Sequence, residues 1–582
     1  MKKILAILLA LVATTSLWAY DFKQGYLYYN IIDEEKSHVE VSGMSERNEY
    51  SQYITHITVP ATVKMYGKTY TVVSIDGDAF RNRSSLKSVT IPEGVTSIGE
   101  KAFSNCSSLT DITIPASVKS IGEGGTFQGC TALQSVQWNA TNCTIDQNSE
   151  GTYYPPFKDL SSITSFTFGS NVQSIPACLC YRLSGLTSIT IPASVTSIGD
   201  GAFSGCLSLT DITIPESVTS IGELAFSSCK SLTSITIPES VTRIRDQAFD
   251  GCSSLTTITI PASVTYIGFW AFGGCSSLTT VTIPEGVTSI GEEAFNGCSS
   301  LADITIPESV KSIGEGGTFL GCTALKSVQW NATNCTIDST SDGCYCPPFY
   351  NLSSITKFTF DSNVQSIPAA LCCGLSGLTS ITIPASVTSI GEGAFYGCEA
   401  LKSVTINSDK VANSVNLKDV FGSQVTEYIL GNSVTSVGRL AFSNCSSLTA
   451  VTIPNSVKSI GGSAFSGCKS LTSITIPASV TSIGVGAFAG CLSLTDITIP
   501  ESVTSIGDWA FSGCKSLKSV TIQEGVKSIG TRAFCDCLEL QTINYLGTKK
   551  QWKGIEDTNL TIEPKKQIVV HCTDGKVKLK GK

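Results

Sequence analysis

Apolar positions recur along this chain in a fixed order. In residues 186–208, LTSITIPASVTSIGDGAFSGCLS, the order is Leu186, Ile189 and Ile191, then Val195 and Ile198, then Ala202, Phe203 and Cys206. The alternation around Ile189 and Ile191 predicts a short β-strand with both isoleucines inward and Ser188 and Thr190 outward. Pro192 has no amide hydrogen and helps end that strand. Val195 and Ile198, with Gly199 after them, predict a turn back across the coil. The spacing of Ala202, Phe203 and Cys206 predicts a short helical turn with Ala and Phe wedged inside.

The same unit returns every 23 residues. Leu186, Leu209, Leu232, Leu255, Leu278 and Leu301 open successive copies, and 21 starts can be placed between Ile54 and Leu540. Some steps are longer. Leu133 to Ile163 and Leu325 to Ile355 each span 30 residues, and residues 117–206 recur almost verbatim at 309–398. One unit cannot bury its own Leu, Ile and Phe set, whereas a stack of units can, and stacking tolerates duplication because each coil touches only its neighbours. The pattern therefore predicts a β-rich solenoid: a right-handed superhelix of parallel strands with short helical turns and capped ends. Residues 54–546 form the stack. Residues 20–53, with Tyr26, Tyr28 and Tyr29, are the expected N-terminal cap. Residues 547–582, with Trp552 and Ile568-Val569-Val570, are the expected C-terminal cap.

Composition narrows the function. Charged residues are only 15% of the chain and the net charge is −8. There is no block of basic residues before the extreme C-terminus, so nucleic acid is not an expected partner. Residues 1–19 have the layout of a secretory signal peptide, with Lys2 and Lys3 ahead of an apolar run from Ile4 to Val12 and Ala19 before the cut. No later stretch is long and apolar enough to predict a transmembrane span in the mature chain. The expected location is secreted, extracellular or at the cell surface.

The unit LxxITIPxSVTSIGxxAFxGCxS resembles the leucine-rich repeat of BspA-like bacterial surface antigens. The opening YDFKQGYLYYNI and the ending INYLGTKKQWKGI…VHCTDG resemble that family's ends. The resemblance spans nearly the whole mature chain. It implies a leucine-rich-repeat solenoid on or outside the cell, and some members of that family bind host matrix proteins, other bacteria or epithelial surfaces. It supplies no catalytic residues.

Cysteine usage has two readings. Of 24 cysteines, 14 occupy one repeat position, from Cys106 to Cys537. In an exported protein this argues for disulfides between neighbouring coils. A residue held at one position of every coil also suits a small buried filler beside the Phe. Pairing successive rungs would pull coils out of register in twos, which favours the filler.

Little in the chain points to chemistry. The three histidines, His38, His56 and His571, lie in or beside the terminal segments, away from the repeat body. Glu216 with Glu239, and Glu285 with Glu308, occupy like positions of adjacent coils, but at a solvent-facing corner with no implied cleft. No metal, cofactor or enzymatic activity is expected. The outward strand positions are the candidate binding face. One column is Thr190, Thr213, Thr236, Thr259, Thr282 and Thr305. Beside it run Ser188, Asp211, Ser234, Thr257, Thr280 and Asp303. Thr suits strands and hydrogen-bonds its neighbours, so these columns serve either strand geometry alone or an extracellular protein or glycan ligand. The expected function is a binding or adhesion module for host or microbial macromolecules. The alternative is a structural spacer or repetitive surface coat without a specific ligand.

Overall fold

The computed structural model describes residues 20–44, 53–122, 124–147, 154–314, 316–338, 346–555 and 567–580. Residues 1–19, expected as a signal peptide, and the centres of the two long insertions, 148–153 and 339–345, lie outside the described residues. The chain divides between Pro261 and Ala262 into two compact units. Each is a parallel β-solenoid with very little helix, and together they hold about 20 coils.

In the first unit the ITI segments form the expected strands. Ser188–Thr190 pairs in parallel with Asp211–Thr213, and Ser234–Thr236 with Thr257–Thr259. Asp111–Ile114, Ser135–Trp138 and Ser165–Phe168 form another such row. The inward isoleucines are buried and the flanking residues exposed, giving an exposed–buried–exposed pattern at Ser188–Thr190. The strand ends two residues before Pro192.

The segment expected as a turn back across the coil, around Ile198, is itself a strand. Ser174–Ile175, Ser197–Ile198 and Ser220–Ile221 pair in parallel as a second ladder. Two residues suffice because the next coil repeats them in register; an isolated pair this short would not hold. Gly199 lets the backbones approach. A Cβ at Gly199 or Gly222 would sit 2.5 Å from backbone atoms of the preceding coil.

The AFxGC segment makes a third inter-coil ladder. Within the coil, Ala202, Ser204 and Cys206 donate to the carbonyls three residues back, as one turn of 3₁₀ helix would. Residues 201 and 205 have φ of +59° and +75°, which stops the helix from continuing. The amides in between point forward instead: Gly201, Phe203 and Gly205 donate to Glu223, Ala225 and Ser227 of the next coil, at 2.7–2.8 Å. Backbone groups that a helix would satisfy internally are thus satisfied by the neighbour.

The first unit opens with Phe22–Gln24, Leu27–Asp33 and His38–Met44 in antiparallel order. His38–Met44 then pairs in parallel with Lys68–Ile75, which continues into the second ladder at Ser97–Ile98. Tyr29 is buried in this sheet, whereas Tyr26 is exposed.

The second unit repeats the plan. Asp303–Ile306, Ser327–Trp330 and Lys357–Phe360 form one first-strand row. A further row begins at Asp496–Ile499 and runs through Ser519–Ile522 and Thr542–Tyr545 to Gln567–Cys572, with Gly575–Lys580 added antiparallel. One coil departs from the pattern: NSDKVANSVNLKDVF lacks the strand-ending Pro and folds as helices Asp409–Ser414 and Leu417–Phe421. The Ser408 side chain caps the first of these by accepting from the Val411 amide. Phe421 then takes the place of the repeat phenylalanine, its ring 4.9 Å from that of Phe395.

The core of each unit is a column of stacked rings. Phe80, Phe103, Phe127 and Phe157 lie 4.8–5.2 Å apart in the first unit. Phe442, Phe465, Phe488, Phe511 and Phe534 lie 4.8–5.4 Å apart in the second. Where Phe is missing, Cys180 and Cys372 hold its position, each preceded by a leucine, Leu179 or Leu371, in place of the repeat Ala, and all four are buried. A buried ring that touches both neighbours leaves a large cavity when removed. Phe272→Ala should therefore destabilise the fold by about 3–5 kcal/mol, read as a lowered urea midpoint. Thr282→Ala on the exposed surface should change it by less than about 0.5 kcal/mol.

Candidate binding surface

All twelve candidate residues are exposed: Ser188, Thr190, Asp211, Thr213, Ser234, Thr236, Thr257 and Thr259 on the first unit, and Thr280, Thr282, Asp303 and Thr305 on the second. In the first unit, register places Ser188 beside Asp211, Thr190 beside Thr213, Ser234 beside Thr257 and Thr236 beside Thr259.

Neighbouring threonine columns behave differently. The Thr210 hydroxyl donates to the Thr187 carbonyl at 3.2 Å, and the Thr196 and Thr219 hydroxyls donate to Gln173 and Thr196 at 3.1 and 3.2 Å. These threonines tie one coil to the one before it. The hydroxyls of Thr190, Thr213, Thr236 and Thr259 make no such bond among the described residues. They close the exposed face of their strands and direct their hydrogen-bonding capacity outward.

The expected position of the cysteines is observed, and they have a partner the sequence did not suggest. Among the described residues all cysteines are free thiols, including every member of the repeat column. Cys229 Sγ donates to the Phe203 carbonyl at 3.3 Å, Cys252 to Phe226 at 3.2 Å, and Cys298 to Phe272 at 3.2 Å. The same bond recurs from Cys468 to Phe442 and from Cys537 to Phe511, both at 3.1 Å. The Phe203 carbonyl already accepts from the Cys206 amide, so the thiol of the next coil occupies its second lone pair. Cysteine is the small, largely apolar side chain that also carries a weak donor. Cys344 lies outside the described residues.

The other candidate chemistry is dispersed. Glu216, Glu239, Glu285 and Glu308 are exposed at the corner after the first strand. At the same corner Glu93 accepts from the amides of Ala116 and Ser117 in the next coil, both at 3.2 Å, which is a stacking contact. His56 Nδ1 lies 2.8 Å from the Thr55 hydroxyl, and His38 and His571 belong to terminal strands. Among the described residues no three His, Cys, Asp or Glu side chains gather to hold a metal ion. No helix among them is long and apolar enough to cross a membrane.

This architecture defines a leucine-rich-repeat solenoid. The model of the BspA type leucine rich repeat region matches residues 49–176, 152–261, 242–345, 343–449 and 435–554, and the chain belongs to that family. Among solved structures it is similar to a leucine-rich repeat protein from Bacteroides ovatus, with 23% identity, 93% of this chain and 98% of that one covered, and a TM-score of 0.36. A leucine rich cell surface protein from Faecalibacterium prausnitzii is 24% identical over the same shares, with a TM-score of 0.21. A leucine rich repeat protein from T. pallidum is 22% identical and covers 44% of this chain and 90% of its own, with a TM-score of 0.24. No curated protein matches the chain.

The thiol column makes a pH prediction. Burial pushes Cys106, Cys130, Cys206, Cys252 and Cys322 from an ordinary value near 9 up to about 12. The folded state therefore keeps these protons while the unfolded chain releases them. Their contribution to stability is complete below pH 9 and is lost progressively between 9 and 12. Urea midpoints should fall over that interval, and fall less in a variant with several column cysteines replaced by alanine. A thiol reagent near neutral pH should reach the half-buried Cys535 and Cys572 in the native protein, and the column only after denaturation.

Proposed function

We propose that the chain is a secreted or cell-surface binding module without catalytic activity of its own, and that its first-strand face engages an extracellular protein or glycan. The observation that carries this reading is the contrast between threonine columns. The flanking hydroxyls are consumed in stacking, whereas the Thr190, Thr213, Thr236 and Thr259 hydroxyls have no protein acceptor among the described residues. Strand propensity alone explains a threonine at both kinds of column; it does not explain why one is left with its full hydrogen-bonding capacity toward solvent. A rigid array of such groups loses little conformational entropy on binding. Membership in a repeat family that includes proteins described as surface proteins supports the location. In this reading residues 1–19 direct export, and residues 20–53 and 547–582 cover the apolar ends of the stack, where bare coils would expose core and open strand edges.

The test is binding of the mature chain to purified matrix glycoproteins and epithelial glycans, measured by surface plasmon resonance. Saturable binding that persists at raised salt is expected. Replacing Thr190, Thr213 and Thr236 together by Lys should weaken it by about tenfold or more without moving the melting temperature. Equal binding by the triple variant would remove this face from the account. Self-association with no ligand at all would favour the spacer or surface-coat alternative.

A further inference from the structure

Among the first-unit coils whose first strand ends in the Thr-Ile-Pro sequence, one breaks the close-approach rule of the second ladder. Where its neighbours carry Gly199, Gly222 and Gly291, residues 232–254 carry Arg245. A Cβ at Gly222 would lie 2.5 Å from the Asp200 amide nitrogen and the Gly199 carbonyl carbon, a distance real Cβ atoms essentially never show. Arg245 brings such a Cβ against the preceding coil, and the coils separate there. Ser220–Ile221 does not pair with Arg243–Ile244, although Ser174–Ile175, Ser197–Ile198 and Ser220–Ile221 pair in sequence before it. The Gly222 amide donates to the Ile198 carbonyl at 2.9 Å, but the corresponding bond from Arg245 to Ile221 is not formed. On the first-strand side, the Thr233 amide is stretched to 3.5 Å from the Thr210 carbonyl, against 3.0 Å from Thr210 to Thr187. The third ladder stays closed, with the Phe226 amide 2.9 Å from the Ala248 carbonyl. Other interruptions of the second ladder in the first unit coincide with a lengthened coil; this one does not.

Beside this opening a groove of about 490 Å³ runs from Ala177 and Ser197 in earlier coils to Arg245, within the roughly 300–1,000 Å³ range of small-ligand sites. Asp200, Thr219, Ser220, Thr242, Arg243 and Arg245 line it. Arg245 Nη1 lies 3.9 Å from Asp200 Oδ1 and 3.8 Å from Glu223 Oε1, so the Arg245 guanidinium faces two carboxylates. Asp200 Oδ1 is itself held by the Glu223 amide at 2.9 Å. The groove thus offers donors and acceptors at close spacing, little net charge and no aromatic wall. That chemistry does not select an ion or an apolar molecule. It suits a ligand whose whole edge is hydroxyl groups.

We propose that this groove is a binding site for a neutral saccharide, opened by the Arg245 wedge at the expense of one ladder. The inference rests on reading the chain as a binding module, but the groove is lined from the second-strand side and not by the Thr190 column. The probe is a panel of neutral gluco-, manno-, galacto- and xylo-oligosaccharides, tested on the mature chain by saturation-transfer NMR and calorimetry. At least one should bind saturably. Arg245→Gly should close the ladder, raise the melting temperature and weaken that binding by about tenfold or more. Arg245→Lys keeps the Cβ but not the planar donor fork; it should leave the melting temperature unchanged and still weaken binding. No binding by any member of the panel, or equal binding by Arg245→Gly, overturns the site. A melting temperature that fails to rise in Arg245→Gly overturns the wedge. The triple Thr→Lys variant should retain saccharide binding, which separates failure of this site from failure of the strand face.

Discussion

Coil-to-coil backbone hydrogen bonding sets the terms for every other feature of this protein. Strands in a ladder lie about 4.8 Å apart, and here three ladders per coil hold neighbouring backbones at that distance. Side chains must then be ones that tolerate it. Glycine occupies the column where a Cβ would meet the preceding backbone at about 2.5 Å. Phenylalanine stacks in the interior, because flat rings repeat well at 4.8–5.5 Å. Cysteine sits beside it because a hydroxyl-free side chain of that size can still donate to the neighbouring phenylalanine carbonyl. The fold is repetitive because the spacing constraint is the same at every step.

Such a constraint separates structural from available surface. Hydroxyls that bond to the preceding coil, such as those of Thr196 and Thr210, belong to the stack. Those at Thr190 and Thr213 do not, and face solvent. Departures from the unit can be read in the same way. The helices at Asp409–Ser414 and Leu417–Phe421 replace strand and turn but return a phenylalanine to the core, so stacking survives. Arg245 returns nothing to the core and costs a ladder, which is why the groove beside it invites a functional explanation.

Much of this was legible in the chain itself. The 23-residue period, the inward faces of Ile189 and Ile191, the buried Phe203 and the burial of the cysteine column follow from spacing and residue type. The expected turn near Ile198 was read as a connection because two residues carry too little periodicity to mark a strand. The AFxGC segment reads as a helical turn because its apolar spacing is helical; the Gly, Asn or Asp at position 205 of most coils is the local mark of the left-handed conformation, although Leu224, Trp509 and Arg182 also adopt it at these positions.

The sequence by itself determined the repeat, which residues face inward, and membership in a solenoid class, because those depend on alternation within a single coil. Only the tertiary structure decided what each group meets in the next coil: the carbonyl 26 residues back that takes the thiol proton, the forward-pointing amides of the turn, and the collision that makes Arg245 a wedge. Those are distances between segments far apart in the chain, and no pattern within one coil encodes them.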